Sequence, residues 1–268
     1  MGFAVIIDEY CSEYISLRWP EVGKITVGER DSLPDLVDAI HNRFARLTPE
    51  ENQWLLDHME DGRNGDFVSV VVNGAAEIDE RFFLPLIRAG INEVDPSLNR
   101  QFIEPAVKHF GPRRVMEALL GIINKGNAFE QAGAINALYW TGVSLKFLPD
   151  APRFTLEYAT PESRATYESL ADIRQRICVQ LLELFVTTES VDVQRSIIPR
   201  LSLDPSAYPE SHKSYVPQVV EIARNHTDDY IRHRVEVQLG NEKLLRPLPH
   251  RQRAMDEAPP KKPWWKVW

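Results

Sequence analysis

An all-α fold is what this sequence predicts. Apolar residues recur at helical rather than alternating spacing, helix-start chemistry returns along the whole chain, and no segment carries a convincing sheet pattern. The 268 residues are 43% hydrophobic and 26% charged, which is ordinary globular composition and excludes wholesale disorder.

The helix starts come in order. Ser32-Leu33-Pro34-Asp35 reads as a capping box with an early proline. Thr48-Pro49-Glu50-Glu51 sets a hydroxyl, a first-turn proline and two acids where free N–H groups point. Asn127-Ala128-Phe129-Glu130 repeats the capping pattern, and Thr160-Pro161-Glu162 and Thr227-Asp228-Asp229 are further starts. The spacing predicts helices near 3–17, 34–46, 49–60, 66–74, 79–92, 97–110, 113–125, 128–140, 162–186, 190–201, 215–225 and 228–239. Residues 142–159 alternate around Pro149-Asp150-Ala151-Pro152 and predict a short irregular or hairpin insertion near 142–161. Residues 202–214, with Pro205 and Pro209, predict a loop, and Pro199 predicts a kink in its helix.

Three of these helices share a pattern. Gln131-Ala132-Gly133-Ala134 leads to Ala137-Leu138, Val193-Gln194-Arg195 leads to Leu201, and Asp228-Asp229-Tyr230-Ile231-Arg232 leads to Leu239-Gly240. This pattern resembles the second helix of a HEAT repeat, Asp-x-x-Val-Arg-x-x-Ala-x-x-Ala-Leu with a following glycine. The departures are Glu130-Gln131 where Val-Arg is expected, Gln194 in place of Arg, and Pro199 inside the helix. Weaker echoes sit at Phe67-Val68…Val71…Gly74-Ala75 and Leu98-Asn99…Phe102…Pro105-Ala106. The echoes end at residues 75, 106, 138, 201 and 239, spacings of 31, 32, 63 and 38 against the roughly 34–47 residues common for helical-pair repeats; the 63-residue gap equals one ordinary repeat plus the 142–161 insertion, or two degenerate units. The resemblance spans about residues 60–240 and implies a right-handed α-solenoid of helical hairpins, each shielding its neighbour's apolar stripe. Residues 1–240 are then one repeat domain, with less regular helices over 1–62. An irregular helical bundle without solenoid curvature is the alternative. In such repeats the Asp–Arg positions usually tie one unit to the next rather than contact a ligand.

Motifs of chemistry are sparse. The sequence has no G-x-S-x-G, P-loop, G-x-G-x-x-G or H-E-x-x-H, and none of its seven histidines stands at ligand spacing from another. Cys11 and Cys178 lie in apolar helical stretches and read as inert. No catalytic residue, metal site or cofactor is therefore expected. His226 and His233, with Asp228 and Asp229 between them, read as a capped helix start with flanking histidines. The N-terminal apolar run, Phe3 to Ile7, is too short for a secretory leader, so a soluble cytoplasmic protein is expected.

Charge narrows the partners. The chain carries −8, which counts against a dedicated nucleic-acid binder and favours a basic protein partner. Residues 240–268 hold seven Lys or Arg against three acids, so this segment is +4 and residues 1–239 are −12. Its five prolines predict a flexible or polyproline-like tail over 241–268. It ends Lys261-Lys262-Pro263-Trp264-Trp265-Lys266-Val267-Trp268, with half of the protein's six tryptophans. Tryptophan is a preferred interface anchor, so the tail is expected to dock on the acidic body, on a partner protein or on an anionic membrane. The candidate contacts are Trp264, Trp265 and Trp268 in the tail and Tyr139, Trp140, Phe147, Phe154 and Tyr158 at the end of one repeat and in the insertion. For Tyr139 and Trp140 burial in the core is the competing expectation. The function expected is a non-enzymatic interaction module acting as adaptor, regulator or inhibitor. The alternative implied by the family is a HEAT-like enzyme, such as a DNA alkylpurine glycosylase, which would need a basic groove, or a bilin-lyase-type protein.

Overall fold

The computed structural model describes residues 3–19, 32–95, 97–149 and 153–240. The described chain is all-α, with thirteen α-helices and no strand among the described residues. They are α1 (Phe3–Arg18), α2 (Leu33–Arg43), α3 (Pro49–His58), α4 (Arg63–Gly74), α5 (Phe83–Asn92), α6 (Arg100–Phe110), α7 (Pro112–Lys125), α8 (Ala128–Ala137), α9 (Pro161–Glu168), α10 (Ala171–Thr187), α11 (Val191–Ile197), α12 (Tyr215–Arg224) and α13 (Asp229–Gln238). Among the described residues no helix is long and apolar enough to cross a membrane.

Local chemistry sets several of the boundaries. Thr48 Oγ1 accepts from the Glu51 N–H while the Glu51 carboxylate accepts from the Thr48 N–H at 2.9 Å, a closed capping box at the start of α3. Asn127 and Glu130 make the same reciprocal pair at α8. Thr160, Ser190 and Asp228 cap α9, α11 and α13 with a side-chain oxygen. Gly111, at φ 84°, ends α6 and opens α7, a backbone conformation open to glycine at little cost.

Three expectations change. Ser32 stands at the N-cap position of α2 but its side chain makes no capping hydrogen bond: its backbone is already helical (φ −83°, ψ −10°), whereas a capping oxygen needs extended backbone to reach the first-turn amides. The helix expected over 162–186 breaks at Ser169-Leu170 into α9 and α10. Arg113 and Arg174 donate to the Ser169 and Tyr167 carbonyls freed there, and Leu170 is buried in the gap. The hairpin expected after residue 142 reduces to a single antiparallel bridge between Phe147 and Ala159, flanked by Leu148 N–H donating to Tyr158 O and Thr160 N–H to Lys146 O. Pro199 tightens the end of α11 into a 3-10 turn, Ile198–Arg200, as its missing N–H requires.

Helix contacts run mostly between near neighbours. At the N-terminal end α2 packs on α1 and α4, and α4 on α6. Beyond that, α7 and α8 pack on each other, as do α10 and α11, and α12 and α13. Across these pairs α7 touches α10 and α10 touches α12, while α5 touches α8, α8 touches α11 and α11 touches α13. Every helix but α9 gives side chains to one continuous apolar cluster, among them Leu86 (α5), Leu119 (α7), Ile135 (α8), Leu182 (α10), Val193 (α11), Val219 (α12) and Ile231 (α13), all fully buried. Fully burying one such side chain contributes about 1.5–3 kcal/mol, so these shared seams hold neighbouring helices together.

Candidate interaction groove

The row α5–α8–α11 carries a groove of about 560 Å³. Its floor is one face of α8: Phe129, Ala132, Gly133 and Asn136 fall at i, i+3, i+4 and i+7. One wall is the end of α5 and the residues after it, Ile91, Glu93 and Val94. The other is the first turns of α11, with Ser190, Asp192, Arg195 and Ser196. Gly133 fixes how closely α5 and α8 meet. A Cβ there would lie 2.1 Å from the Ile91 carbonyl oxygen, a backbone atom that no rotamer change can move.

Large apolar side chains stand on the rim. Phe129 is 57% exposed and Val94 is 83% exposed. Val191 and Tyr230, also exposed, occupy the first turns of α11 and α13, where Phe129 sits in α8. The capping turn of successive row helices thus presents an apolar side chain each time. Between them lie carboxylates. Glu93 accepts the Asp95 N–H at 3.0 Å, and among the described residues no ion pair engages Glu93 or Asp192. The one cation in the lining, Arg195, already faces Asp228 at 3.6 Å and lies over the Tyr230 ring. The groove is therefore acidic on balance. Behind it, Arg200 donates to the Asn136 carbonyl at 3.1 Å in the last turn of α8, where a cation also opposes the helix dipole. Burial pushes the Arg200 pKa down, but arginine stays charged.

Comparison with known proteins brings no match. No family model, no curated protein and no solved structure matches this chain.

A second cleft, of about 300 Å³ between α2, α4 and α6, has its charged lining residues Arg100 and Glu104 paired at 2.8 Å. Another, of about 590 Å³, runs along α12 and is lined by Leu203, Pro205, Val216 and Val220, with Glu221 and Arg224 at its edge.

The residues singled out from the sequence lie elsewhere. Tyr139 and Trp140 form the 3-10 turn that ends α8, with rings 4.7 Å apart and roughly perpendicular. Tyr139 is 68% exposed, so its expected burial does not occur. Trp140 is half-buried against the core, with the Arg100 guanidinium over its ring. Phe147 and Phe154 meet across the insertion at 5.2 Å, with Phe154 84% exposed, and Tyr158 is half-buried beside the Phe147–Ala159 bridge. None of these five lines the α5–α8–α11 groove. Trp264, Trp265 and Trp268 lie outside the described residues.

The cysteines are poor nucleophiles where they stand. Burial, helped by Asp8, pushes the Cys11 thiol up to about 11, and burial raises Cys178 against the lowering effect of Arg174. His226 is held in one tautomer. It accepts the Asp228 N–H at Nδ1 and donates from Nε2 to Gln194 Oε1 at 2.9 Å. Gln194 completes that network by donating to the Phe185 and Thr188 carbonyls.

Proposed function

We propose that residues 1–240 form a right-handed, HEAT-like α-solenoid that acts as a non-enzymatic interaction module. It receives a basic protein partner along the face built by α5, α8, α11 and α13. Two runs of contacting helices, α7–α10–α12 and α5–α8–α11–α13, support the repeat reading, because α7 and α8, α10 and α11, and α12 and α13 also pack on each other across the two runs. The observation that carries the binding reading is the groove itself. It pairs exposed apolar anchors, Val94 and Phe129, with Glu93 and Asp192, carboxylates that no ion pair engages among the described residues. Apolar anchors supply affinity and the surrounding charge supplies partner choice and encounter rate.

The test begins with capture from native cytoplasm, followed by reconstitution with the purified captured protein. Phe129→Asp is expected to weaken the reconstituted complex at least tenfold while leaving the circular dichroism melt unchanged, and rising salt is expected to weaken the parent complex further. A captured protein whose affinity is indifferent to Phe129→Asp, or a tightly copurified small molecule in its place, would overturn the reading.

A further inference from the structure

We propose that the segment Lys261–Trp268 of this same chain occupies the α5–α8–α11 groove in cis and competes there with the partner. The inference rests on the groove being a binding site. Three observations point to this occupant. The first is charge: the segment carries Lys261, Lys262 and Lys266 with no acid, and the groove offers Glu93 and Asp192 with its one arginine already engaged by Asp228. The second is side-chain chemistry. Trp264, Trp265 and Trp268 are large apolar bodies with one N–H donor each, and the groove presents the exposed Phe129 ring and Val94 methyls as apolar contacts for them.

The third is reach. The description of the chain ends at Gly240, beside α13, which packs on α11, which packs on α8. Two helix spacings of about 8–10 Å separate α13 from the groove floor. The 24 residues from Gly240 to Trp264 can span at most roughly 80 Å. A flexible 24-residue coil would have an r.m.s. span of about 25–30 Å and a Pro-rich one more, so the segment can reach across two helix spacings. The cleft along α12 lies on the helix that packs on α13, but its charged edge is a single carboxylate, Glu221, next to Arg224, itself paired with Glu236.

The full chain is used throughout. A fluorescent peptide of residues 258–268 is titrated into a Trp264→Ala/Trp265→Ala/Trp268→Ala variant, in which the groove is unoccupied in cis. Binding is expected, at least tenfold weaker when Phe129→Asp is added and at least tenfold weaker on the unsubstituted chain. A photo-crosslinking amino acid placed at position 265 of the otherwise native chain is expected to label residues 128–136 or 190–196 of the same molecule. The inference is overturned by any of four results: no peptide binding, binding indifferent to Phe129→Asp, cross-links at 216–224 or between two chains, or uptake of the peptide by anionic phosphatidylserine vesicles alone. Failure of the groove reading is told apart by partner affinity measured on the triple variant. Partner binding that depends on Phe129 without peptide binding sinks only this inference. Peptide binding at Phe129 with an indifferent partner sinks only the proposed function.

Discussion

Gln194 is the most informative single residue to change. It is 6% exposed, and it ties three elements together. Its amide donates to the Phe185 carbonyl at 3.3 Å and to the Thr188 carbonyl at 3.2 Å, near the end of α10. Its oxygen accepts from His226, in the turn between α12 and α13. The Gln194→Ala substitution leaves two carbonyls and one imidazole N–H without their partner in a site that admits little water. Each buried polar group so stranded costs about 1–3 kcal/mol, so with partial hydration of the space left behind the expected loss is about 2–4 kcal/mol. That is a large fraction of the roughly 5–15 kcal/mol that holds an ordinary domain together. Urea unfolding followed by circular dichroism is the assay, with a lower midpoint at unchanged slope. Gln194→Glu is expected to be worse than Ala, because it turns a donor facing two carbonyls into a carboxylate oxygen. A double-mutant cycle with His226→Ala should show coupling of about 1 kcal/mol. A loss below about 0.5 kcal/mol for Gln194→Ala, or zero coupling, would refute the account of Gln194 as the link between successive helical pairs.

Other outcomes follow from the same geometry. Gly133→Ala gains about 1 kcal/mol of helix propensity, yet its Cβ would meet the Ile91 backbone at 2.1 Å; overpacking of this kind costs about 1–3 kcal/mol, so a net lower urea midpoint is expected. Cys11, with its thiol pushed up to about 11, should react with a disulfide reagent at pH 7.5 at least tenfold more slowly in the folded chain than in urea; equal rates would contradict its burial. His109 sits in a desolvated site with Nε2 donating to the Val72 carbonyl, and burial lowers its pKa from the ordinary 6.5. The folded state therefore resists a proton that the unfolded chain accepts. Stability should fall as the pH drops through 6.5 toward the lower folded value and then level off, and His109→Gln should lose less between pH 7.5 and pH 5.5 than the parent.

Elements were legible where local chemistry settles them. Thr48-Glu51 and Asn127-Glu130 closed as capping boxes because both members lie within one turn, so nothing distant can overrule them. The break at Ser169-Leu170 was not legible. It depends on Arg113 of α7 reaching a carbonyl 56 residues away, and no local pattern announces such a contact. The pattern departures were informative in an unexpected sense. Gln194, which stands where arginine belongs in the repeat pattern, serves as a neutral staple between helical pairs. The groove leaves little local trace, because the exposure of Phe129 is set by how α8 sits against α5 and α11, helices distant in sequence. The signal that marks it is quieter: an apolar residue inside each capping turn, Phe129, Val191 and Tyr230, where solvent-facing polar residues are the norm. A repeat of that kind emerges only after the helices have been aligned on their caps.

Contacts that pass from one helix to the next have a consequence for how the molecule comes apart. α13 leans on α12, on α11 and on the 3-10 turn Ile198–Arg200, whereas α8 is gripped by α5, α7 and α11 together. Warming should accordingly loosen α13 before α8, amide protons of α13 washing out for deuterium earlier than those of α8. The segment after Gly240 is thereby tethered to a helix that should let go before the middle of the array does.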